Sequence, residues 1–291
     1  MKNARYLLII SCIIVPLALF AAGVGFFKGQ VSRPFSFDTL RGESVLIQGG
    51  GIYKYDSVSS ASQEVGQDAV TLFIGIPLLI IGIVMTKKGF LRGHMLLTGG
   101  LGYFLYTYAS MSFLTAFNSL YLVYVALFSL SLFGFILALS GIDPKYLHDR
   151  LDERFPRKTT AVFFLVVAAF LCLAWLKLVV PPMISGEPPA GLESAITMVI
   201  QSLDLGIIVP TSVITAILLL KKLPWGFTLA TVLLIKVFTM GAALIAMVIN
   251  QMLQNVAIDP VTSLFFVIIA LSGIIVSVFA FRSIHEEPVS E

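Results

Sequence analysis

The stretch at residues 221–249, KKLPWGFTLATVLLIKVFTMGAALIAMVI, decides the fold class of this chain. Two lysines, a proline and a glycine precede 23 residues, 227–249, in which Lys236 is the single charged side chain. An α-helix needs about 20 mainly apolar residues to cross the hydrocarbon core of a bilayer. The stretch therefore predicts a transmembrane helix that begins after a basic loop.

The same pattern recurs along all 291 residues, of which 58% are hydrophobic and 12% charged. Soluble domains carry about 25% charged residues, so this composition favours a protein embedded in a lipid bilayer. We predict an all-α integral membrane protein with eight transmembrane helices at 6–27, 69–86, 95–116, 120–140, 161–180, 195–220, 227–249 and 261–281. The net charge of +3 lies in the loops and does not indicate nucleic-acid binding.

The distribution of lysine and arginine predicts how the chain is oriented in the cell membrane. Cytoplasmic segments are enriched in these residues. With the N-terminus inside, the cytoplasmic segments hold thirteen of them: Lys2, Arg5, Lys87, Lys88, Arg92, Lys145, Arg150, Arg154, Arg157, Lys158, Lys221, Lys222 and Arg282. The outer loop 28–68 holds four, so both termini are predicted to be cytoplasmic. Cleavage of the first apolar run, as a signal peptide or lipoprotein signal, stays open as an alternative that leaves seven spans.

Two loops are long enough to form structure of their own. In the outer loop, the apolar runs 45–48 and 52–55 flank the glycines at 49–51, which predicts a small β-hairpin. Residues 57–67 are predicted to form a helix that continues into the second span. The inner loop 141–160 mixes charges around Asp143 and Pro144, which predicts a short amphipathic surface helix.

The two halves of the chain resemble each other, which predicts parallel repeats of four helices. Residues 1–140 would form the first half, 141–160 a linker and 161–291 the second half. Each half contains an acidic residue, a proline, a lysine pair and a glycine in the same order: Asp68, Pro77, Lys87-Lys88 and Gly93, then Asp204, Pro210, Lys221-Lys222 and Gly226. Parallel repeats are related by an axis along the membrane normal, and functional sites lie at their interface. The alternative is that basic inner loops alone force this similarity.

Asp204 and Lys236 are the strongest candidates for functional residues. An ionisable side chain in the middle of a bilayer costs at least roughly 2.5–3.5 kcal/mol, so such groups face the protein interior. Asp204 is about 13–14 Å below the outer end of its helix and Lys236 about 20 Å below the outer end of the next. Because a short loop joins these helices, we expect Asp204 and Lys236 to pair, directly or through one water. The alternative is a buried pair that only fixes helix packing.

Six further polar residues are expected to line an outward cavity near this pair: Gln201, Thr239, Tyr103, Tyr106, Glu64 and Asp68. Gln201 lies three residues before Asp204, and Thr239 lies three residues after Lys236, so each shares a helical face with its charged neighbour. Glu64 and Asp68 are one turn apart at a helix start, where the helix dipole alone favours acidic residues. The sequence predicts no metal site and no cofactor, and its two cysteines lie in apolar runs.

Three functions fit these residues. The first is a permease for a small molecule or ion, because intramembrane carboxylates and lysines mark such pathways. The second is a non-transporting sensor, accessory or assembly subunit that recognises a protein partner through the loop 28–68, particularly Tyr53, Lys54 and Tyr55. The third, with the weakest support, is an intramembrane enzyme acting on lipid or quinone, since no histidine is predicted at membrane depth.

Overall fold

The computed structural model describes residues 4–189, 191–258 and 260–286, and within them the chain is mainly helical. Lys2, counted above among the cytoplasmic cations, and the last part of the second half, 287–291, lie outside the described residues. The elements in chain order are α1 (Ala4–Gly29), β1 (Phe35–Asp38), β2 (Ser44–Ile47), α2 (Val58–Val70), the π-helical segment π1 (Thr71–Gly75), α3 (Ile76–Lys87), α4 (Leu91–Phe113), α5 (Tyr121–Ser140), α6 (Pro144–His148), α7 (Arg157–Ser185), α8 (Val199–Leu203), the π-helical segment π2 (Asp204–Ile208), α9 (Val209–Leu220), α10 (Pro224–Leu253) and α11 (Pro260–Arg282).

Seven helical stretches in the described part of the chain are long and apolar enough to cross a membrane. They are α1, α2 with π1 and α3, α5, α7, α8 with π2 and α9, α10 and α11. This is the pattern of a multi-pass α-helical membrane protein, and these stretches coincide with seven of the eight predicted spans. The remaining prediction, 95–116, falls on α4, which is not among the seven.

Helix α4 differs from the seven because other helices surround it. It packs against α3, α5 and α10, and most of its side chains are buried. A helix shielded from lipid does not need a continuous apolar surface, and α4 accordingly carries buried glycine, threonine and tyrosine along its length. Its composition reflects protein contacts, so hydropathy alone does not identify it as a span.

Two of the long helical stretches are interrupted by a π-helical segment followed by a proline. π1 precedes Pro77, the second residue of α3, and π2 precedes Pro210, the second residue of α9. Proline has no N–H to donate and its ring crowds the preceding turn, so a widened turn relieves the strain. Such interruptions leave backbone groups free inside a helix bundle.

The outer loop contains a hairpin, but its strands differ from those predicted. β2 (Ser44–Ile47) overlaps the predicted strand 45–48, whereas its antiparallel partner is β1, with Phe35 opposite Ile47. The predicted partner at 52–55 forms a turn. The physical reason is that Gly49 and Gly51 adopt positive φ values of 69° and 70°, so the chain turns tightly over 49–55. Beyond β2 the pairing continues only as an isolated antiparallel bridge between Ile47 and Ser57.

The predicted helices next to both long loops are present. Helix α2 begins after Ser57, whose hydroxyl accepts a hydrogen bond from the backbone N–H of Ser60 at 3.0 Å. In the inner loop, the short helix α6 begins after Asp143, whose carboxylate accepts from the N–H groups of Lys145 and Tyr146. We refer below to the end of the bundle that carries β1 and β2 as the hairpin side.

Helix α10 connects the two parts of the bundle. One large apolar cluster is built mainly from α1, α3, α4 and α5, and another mainly from α7, α9, α10 and α11. α10 packs against α2 and α4 as well as against α9 and α11. The division into two four-helix repeats stays a prediction, and α10 is the helix that contacts both parts most extensively.

Glycines allow α10 to approach the first part of the chain closely. A Cβ atom on Gly66 of α2 would lie 2.7 Å from the Cα and N atoms of Met247, and one on Gly99 of α4 would lie 2.5 Å from the Cβ of Ile235. Real Cβ atoms do not come so close to backbone atoms. In a membrane, small residues stabilise helix pairs because they permit this van der Waals contact between backbones.

We predict that Gly66→Ala lowers the thermal stability of the protein, whereas Gly23→Ala leaves it unchanged or raises it. Gly66 has no room for a methyl group, and overpacking costs about 1–3 kcal/mol. Gly23 lies in α1 with no atom within 4 Å of its Cβ position, and alanine is the better helix former. Thermal unfolding of both variants in detergent measures the difference. Equal midpoints would contradict the close α2–α10 contact.

Candidate functional site

A cavity of about 400 Å³ lies within the helix bundle, and we call it the bundle cavity. Its walls come from α2, α4, α7, π2, α9, α10 and α11, together with 257–258 between α10 and α11. It therefore lies where residues from the first part of the chain face residues from the second. Gln63 is exposed on the hairpin side, and Lys236 lies deep in the bundle, so the cavity extends from near the surface to mid-depth.

Asp204, at the deep end of the bundle cavity, is held by two donors from different helices. Its side chain is only 7% exposed. The hydroxyl of Tyr106, on α4, donates to Oδ1 at 2.8 Å, and the indole N–H of Trp175, on α7, donates to Oδ2 at 2.9 Å. Hydrogen bonds to an ionised acceptor are stronger than neutral ones, so the carboxylate fixes α4 and α7 relative to π2.

The predicted direct ion pair between Asp204 and Lys236 is not formed. No contact within 4.0 Å joins the two charged groups among the described residues. Instead the ammonium of Lys236 lies 3.8 Å from the ring centroid of Tyr106, whose hydroxyl binds Asp204. The physical reason is that the Tyr106 side chain of α4 lies against both groups. The depths of Asp204 and Lys236 along their own helices could not show that a residue of a third helix lies beside them. Tyr106 thus connects the charges through a cation–π contact and a hydrogen bond.

The eight predicted site residues divide into two equal groups. Four of them line the bundle cavity: Asp204, Lys236, Tyr106 and Glu64. The other four are not among its lining residues: Gln201, Thr239, Tyr103 and Asp68. The hydroxyl of Thr239 donates to the backbone of its own helix, which is the usual arrangement for a threonine inside a helix.

Tyr103 and Asp68 each form buried hydrogen bonds with residues other than Asp204 and Lys236. The Tyr103 hydroxyl accepts from the side-chain amide of Gln67 at 2.6 Å and lies 2.8 Å from the hydroxyl of Thr71. Asp68 accepts a hydrogen bond of 2.5 Å from the hydroxyl of Tyr53, which is completely buried. Tyr53 therefore anchors the outer loop to α2 and is not the exposed recognition residue that the sequence suggested.

Sequence reasoning missed two residues of the site, Trp175 and Gln67. Trp175 contributes a donor to Asp204 and an aromatic wall to the cavity. A signal existed, because it is one of two tryptophans in the chain and stands inside an apolar run where its N–H needs a partner. Gln67 follows Glu64 by three residues and therefore shares its helical face, which could have indicated a common surface.

Glu64 lies at the hairpin-side end of the cavity without a hydrogen-bond partner. It is 7% exposed, and neither carboxylate oxygen has a partner among the described residues. The hydroxyl of Thr115 lies near enough to Glu64 to interact with it electrostatically, but it meets hydrogen-bond geometry only with the sulfur of Met111, at 3.4 Å. An unpaired carboxylate in a buried position is energetically costly, so this group stands out from Asp204.

Asp56 is a second carboxylate close enough to act electrostatically on Glu64. Its Oδ1 accepts from the backbone N–H of Ala116 at 2.7 Å, whereas Oδ2 has no partner among the described residues. Burial raises the pKa of Asp56 to about 6, although the Ala116 hydrogen bond lowers it. The hairpin-side end of the cavity thus concentrates acidic groups, and the deep end contains the lysine.

Comparison with models of known protein families, with curated proteins and with solved structures finds no match to this chain. Its function must therefore be inferred from the residues of the bundle cavity and from the surfaces around it.

We predict a strong coupling between Tyr106 and Asp204 in a double-mutant cycle. Tyr106→Phe removes one donor from a buried acceptor and should destabilise the protein by about 1–3 kcal/mol. In an Asp204→Leu background the same change should cost much less, because its acceptor is already gone. Tyr121→Phe, at the partly exposed start of α5, is the matched control and should have little effect. Additive losses in thermal unfolding would contradict the hydrogen bond.

We predict that wild-type stability falls as the pH rises from about 4 to about 6, and that Asp56→Asn flattens this dependence. The folded pKa of Asp56 lies above its ordinary value of 3.8, so the folded protein binds the proton more tightly than the unfolded chain. Stability from this group is therefore greatest below pH 4 and lost above pH 6. Asparagine keeps an oxygen for Ala116, and at pH 7.5 it should stabilise the protein by about 1–3 kcal/mol.

Thermal unfolding of wild type and Asp56→Asn between pH 4 and pH 8 measures this effect. Asp38→Asn on β1 provides the control, because that residue is exposed. A wild-type midpoint that rises over this range, with no change in Asp56→Asn, would show that Asp56 is not a buried, destabilised carboxylate.

Proposed function

We propose that this chain is a permease for a small organic molecule and that the bundle cavity is its binding site. The observation that carries the proposal is the cavity itself. Its volume of about 400 Å³ falls in the range of small-molecule sites, which are mostly apolar with a few placed polar groups. Here aromatic and aliphatic walls surround Glu64 at one end and Asp204, Tyr106 and Lys236 at the other. Ionisable groups at membrane depth mark substrate and proton routes.

We also propose that α4 crosses the membrane as an eighth span, with both termini cytoplasmic and the hairpin side outside. α3 ends at Lys87 and α4 begins at Leu91, so α4 runs back along α3, against which it packs. Its 23 residues have a length of about 35 Å at the rise of an α-helix, enough to cross the hydrocarbon core. Eight spans also return the chain to the side predicted by the lysine and arginine distribution.

The proposed repeat of four helices is consistent with transport. In the first unit α3 packs against α4 and α4 against α5, and in the second α9 packs against α10 and α10 against α11. Thr71 begins π1 six residues before Pro77, as Asp204 begins π2 six residues before Pro210. Interrupted helices at corresponding places in two repeats are typical of binding sites in secondary transporters. By this spacing the counterpart of Asp204 is Thr71, not Asp68 as the sequence comparison assumed.

Recognition of a protein partner through the outer loop is the second candidate function. Phe35 and Phe37 of β1 are each about half exposed, and Leu40 in the following turn is fully exposed. Exposed aromatic side chains are frequent in protein interfaces. This function would require the hairpin surface and not the bundle cavity, so the two candidates can be separated by variants.

We predict that filling the cavity abolishes transport. Leu244→Phe with Val248→Phe adds two rings to the cavity wall on α10. Ile249→Phe with Leu253→Phe makes the same change, also four residues apart, on the exposed face of α10. Wild type and both variants are produced in cells at equal abundance in the membrane. Cells with wild type should import or export at least one organic solute. Mass spectrometry of medium and cells should show this flux lost in the first variant and kept in the second.

Two outcomes would contradict the permease proposal. Identical solute profiles for wild type and the cavity-filled variant would remove the cavity from the function. If Phe35→Ser with Phe37→Ser lost the change in solute levels that wild type causes, and the cavity-filled variant kept it, partner recognition by the hairpin would be favoured instead.

A further inference from the structure

Glu64 is a buried carboxyl group that has no counter-charge among the described residues. Among the described residues, it is the acidic side chain whose two carboxylate oxygens are both buried and both without a hydrogen-bond partner. No ion pair of the described residues includes Glu64. A buried carboxylate is tolerated when it is paired, so Glu64 can hold a negative charge once a cation from outside the chain lies against it.

The surroundings of Glu64 add negative charge and hydrogen-bond acceptors. Asp56 acts on it electrostatically and keeps one unpartnered oxygen, Oδ2. The cavity lining beside Glu64 includes hydroxyl and amide side chains, from Ser60, Gln63, Gln67, Thr115 and Gln251. The nearest lysine in the cavity wall, Lys236, is engaged with the Tyr106 ring at the deep end. The hairpin-side end therefore has the polarity that suits a cation.

The rest of the cavity wall suits an apolar body of moderate size. Phe170 and Trp175 of α7 and Phe266 of α11 contribute aromatic surface, and Met240 and Met247 of α10 contribute flexible thioether side chains. Aromatic faces attract cations, and methionine adapts to ligands of irregular shape. The cavity is not suited to coordinating an inorganic cation, because Ca²⁺ needs 6–8 oxygen ligands and Mg²⁺ needs a near-octahedral set of them.

We propose that the ligand of the bundle cavity is an amphiphilic organic cation, whose protonated or quaternary amine lies against Glu64 and whose apolar body lies along α7, α10 and α11. The inference rests on the proposed permease function and specifies its substrate class. Glu64 supplies the counter-charge and Asp56 strengthens the negative potential. The aromatic and methionine side chains bury the apolar body.

Intrinsic fluorescence provides a direct test. The chain has two tryptophans: Trp175 lines the cavity, and Trp225 is half exposed near the start of α10. A Trp225→Phe variant therefore reports on the cavity alone. Purified in detergent, it is titrated with (4-phenylbutyl)trimethylammonium, with the neutral 4-phenylbutanol and with the anion 4-phenylbutyrate. We expect a saturable change with the ammonium ion and at least tenfold weaker binding of the other two.

Glu64→Gln in the same background should weaken binding of the ammonium ion at least tenfold. Glu43→Gln is the matched control, because it removes an exposed carboxylate on the hairpin side and should leave binding unchanged. If Glu64→Gln does not fold, the relative affinities of the Trp225→Phe variant for the three probes still test whether the cavity prefers a cation. No saturable response to the ammonium ion, or equal affinity for ammonium and alcohol, would overturn the inference.

The failure of this inference is distinguishable from failure of the permease proposal. Saturable binding of the alcohol that Glu64→Gln does not change, but that Leu244→Phe with Val248→Phe abolishes, would overturn the cationic ligand and retain the cavity as a binding site. Responses that persist unchanged in the cavity-filled variant would count against both, because the probes would then act elsewhere on the protein or its micelle.

Discussion

A carboxylate buried at membrane depth must receive its hydrogen bonds from the protein, and the position of Asp204 follows from this constraint. Lipid offers no donors, so Tyr106 and Trp175 supply them from α4 and α7. Three helices from different parts of the chain therefore meet at one side chain. The cavity wall around Asp204 is fixed by polar bonds as well as by packing. Lys236 joins this arrangement through the Tyr106 ring, so its charge is attracted without displacing the donors.

The two acidic residues of the cavity differ in the hydrogen bonds that they accept. Each oxygen of Asp204 accepts one, whereas neither oxygen of Glu64 has a partner among the described residues, although both residues are 7% exposed. A fully bonded group contributes to a defined structure, while an unbonded one retains its capacity to bind. We therefore regard the deep end of the cavity as a structural support and the hairpin-side end as the part available to a ligand.

The sequence predicted those structural features that contact with lipid determines. It predicted less well the features that depend on contacts between different parts of the chain. Seven helices were located correctly because a bilayer demands a certain apolar length from any helix that faces it. The predicted helix 95–116 coincides with α4, but α4 is not among the seven stretches that are apolar enough to count as spans, because its neighbours determine its surface. The β1–β2 hairpin depended on the turn between Asp38 and Ser44, where Gly42 has a positive φ of 82°, and a pattern of apolar residues does not encode that turn. Direct contact between Asp204 and Lys236 was predicted but is not formed, because sequence spacing gives the depth of a residue in the membrane and does not show which third helix lies beside it.

The proposed four-helix repeat assigns Asp204 and Lys236 counterparts in the first half of the chain. In that proposal Thr71 corresponds to Asp204 by its place at the start of a π segment, and Tyr103 corresponds to Lys236 by its distance of ten residues from Gly93 and Gly226. Thr71 and Tyr103 are joined by a neutral hydrogen bond of 2.8 Å, whereas the charged residues meet through Tyr106. A neutral pair is cheaper to bury than a charged one, so it suits a unit that only supports the bundle. The charged residues lie where the bundle cavity supplies polar surroundings at its deep end, because the cavity reaches Asp204 and Lys236 but not Thr71 or Tyr103.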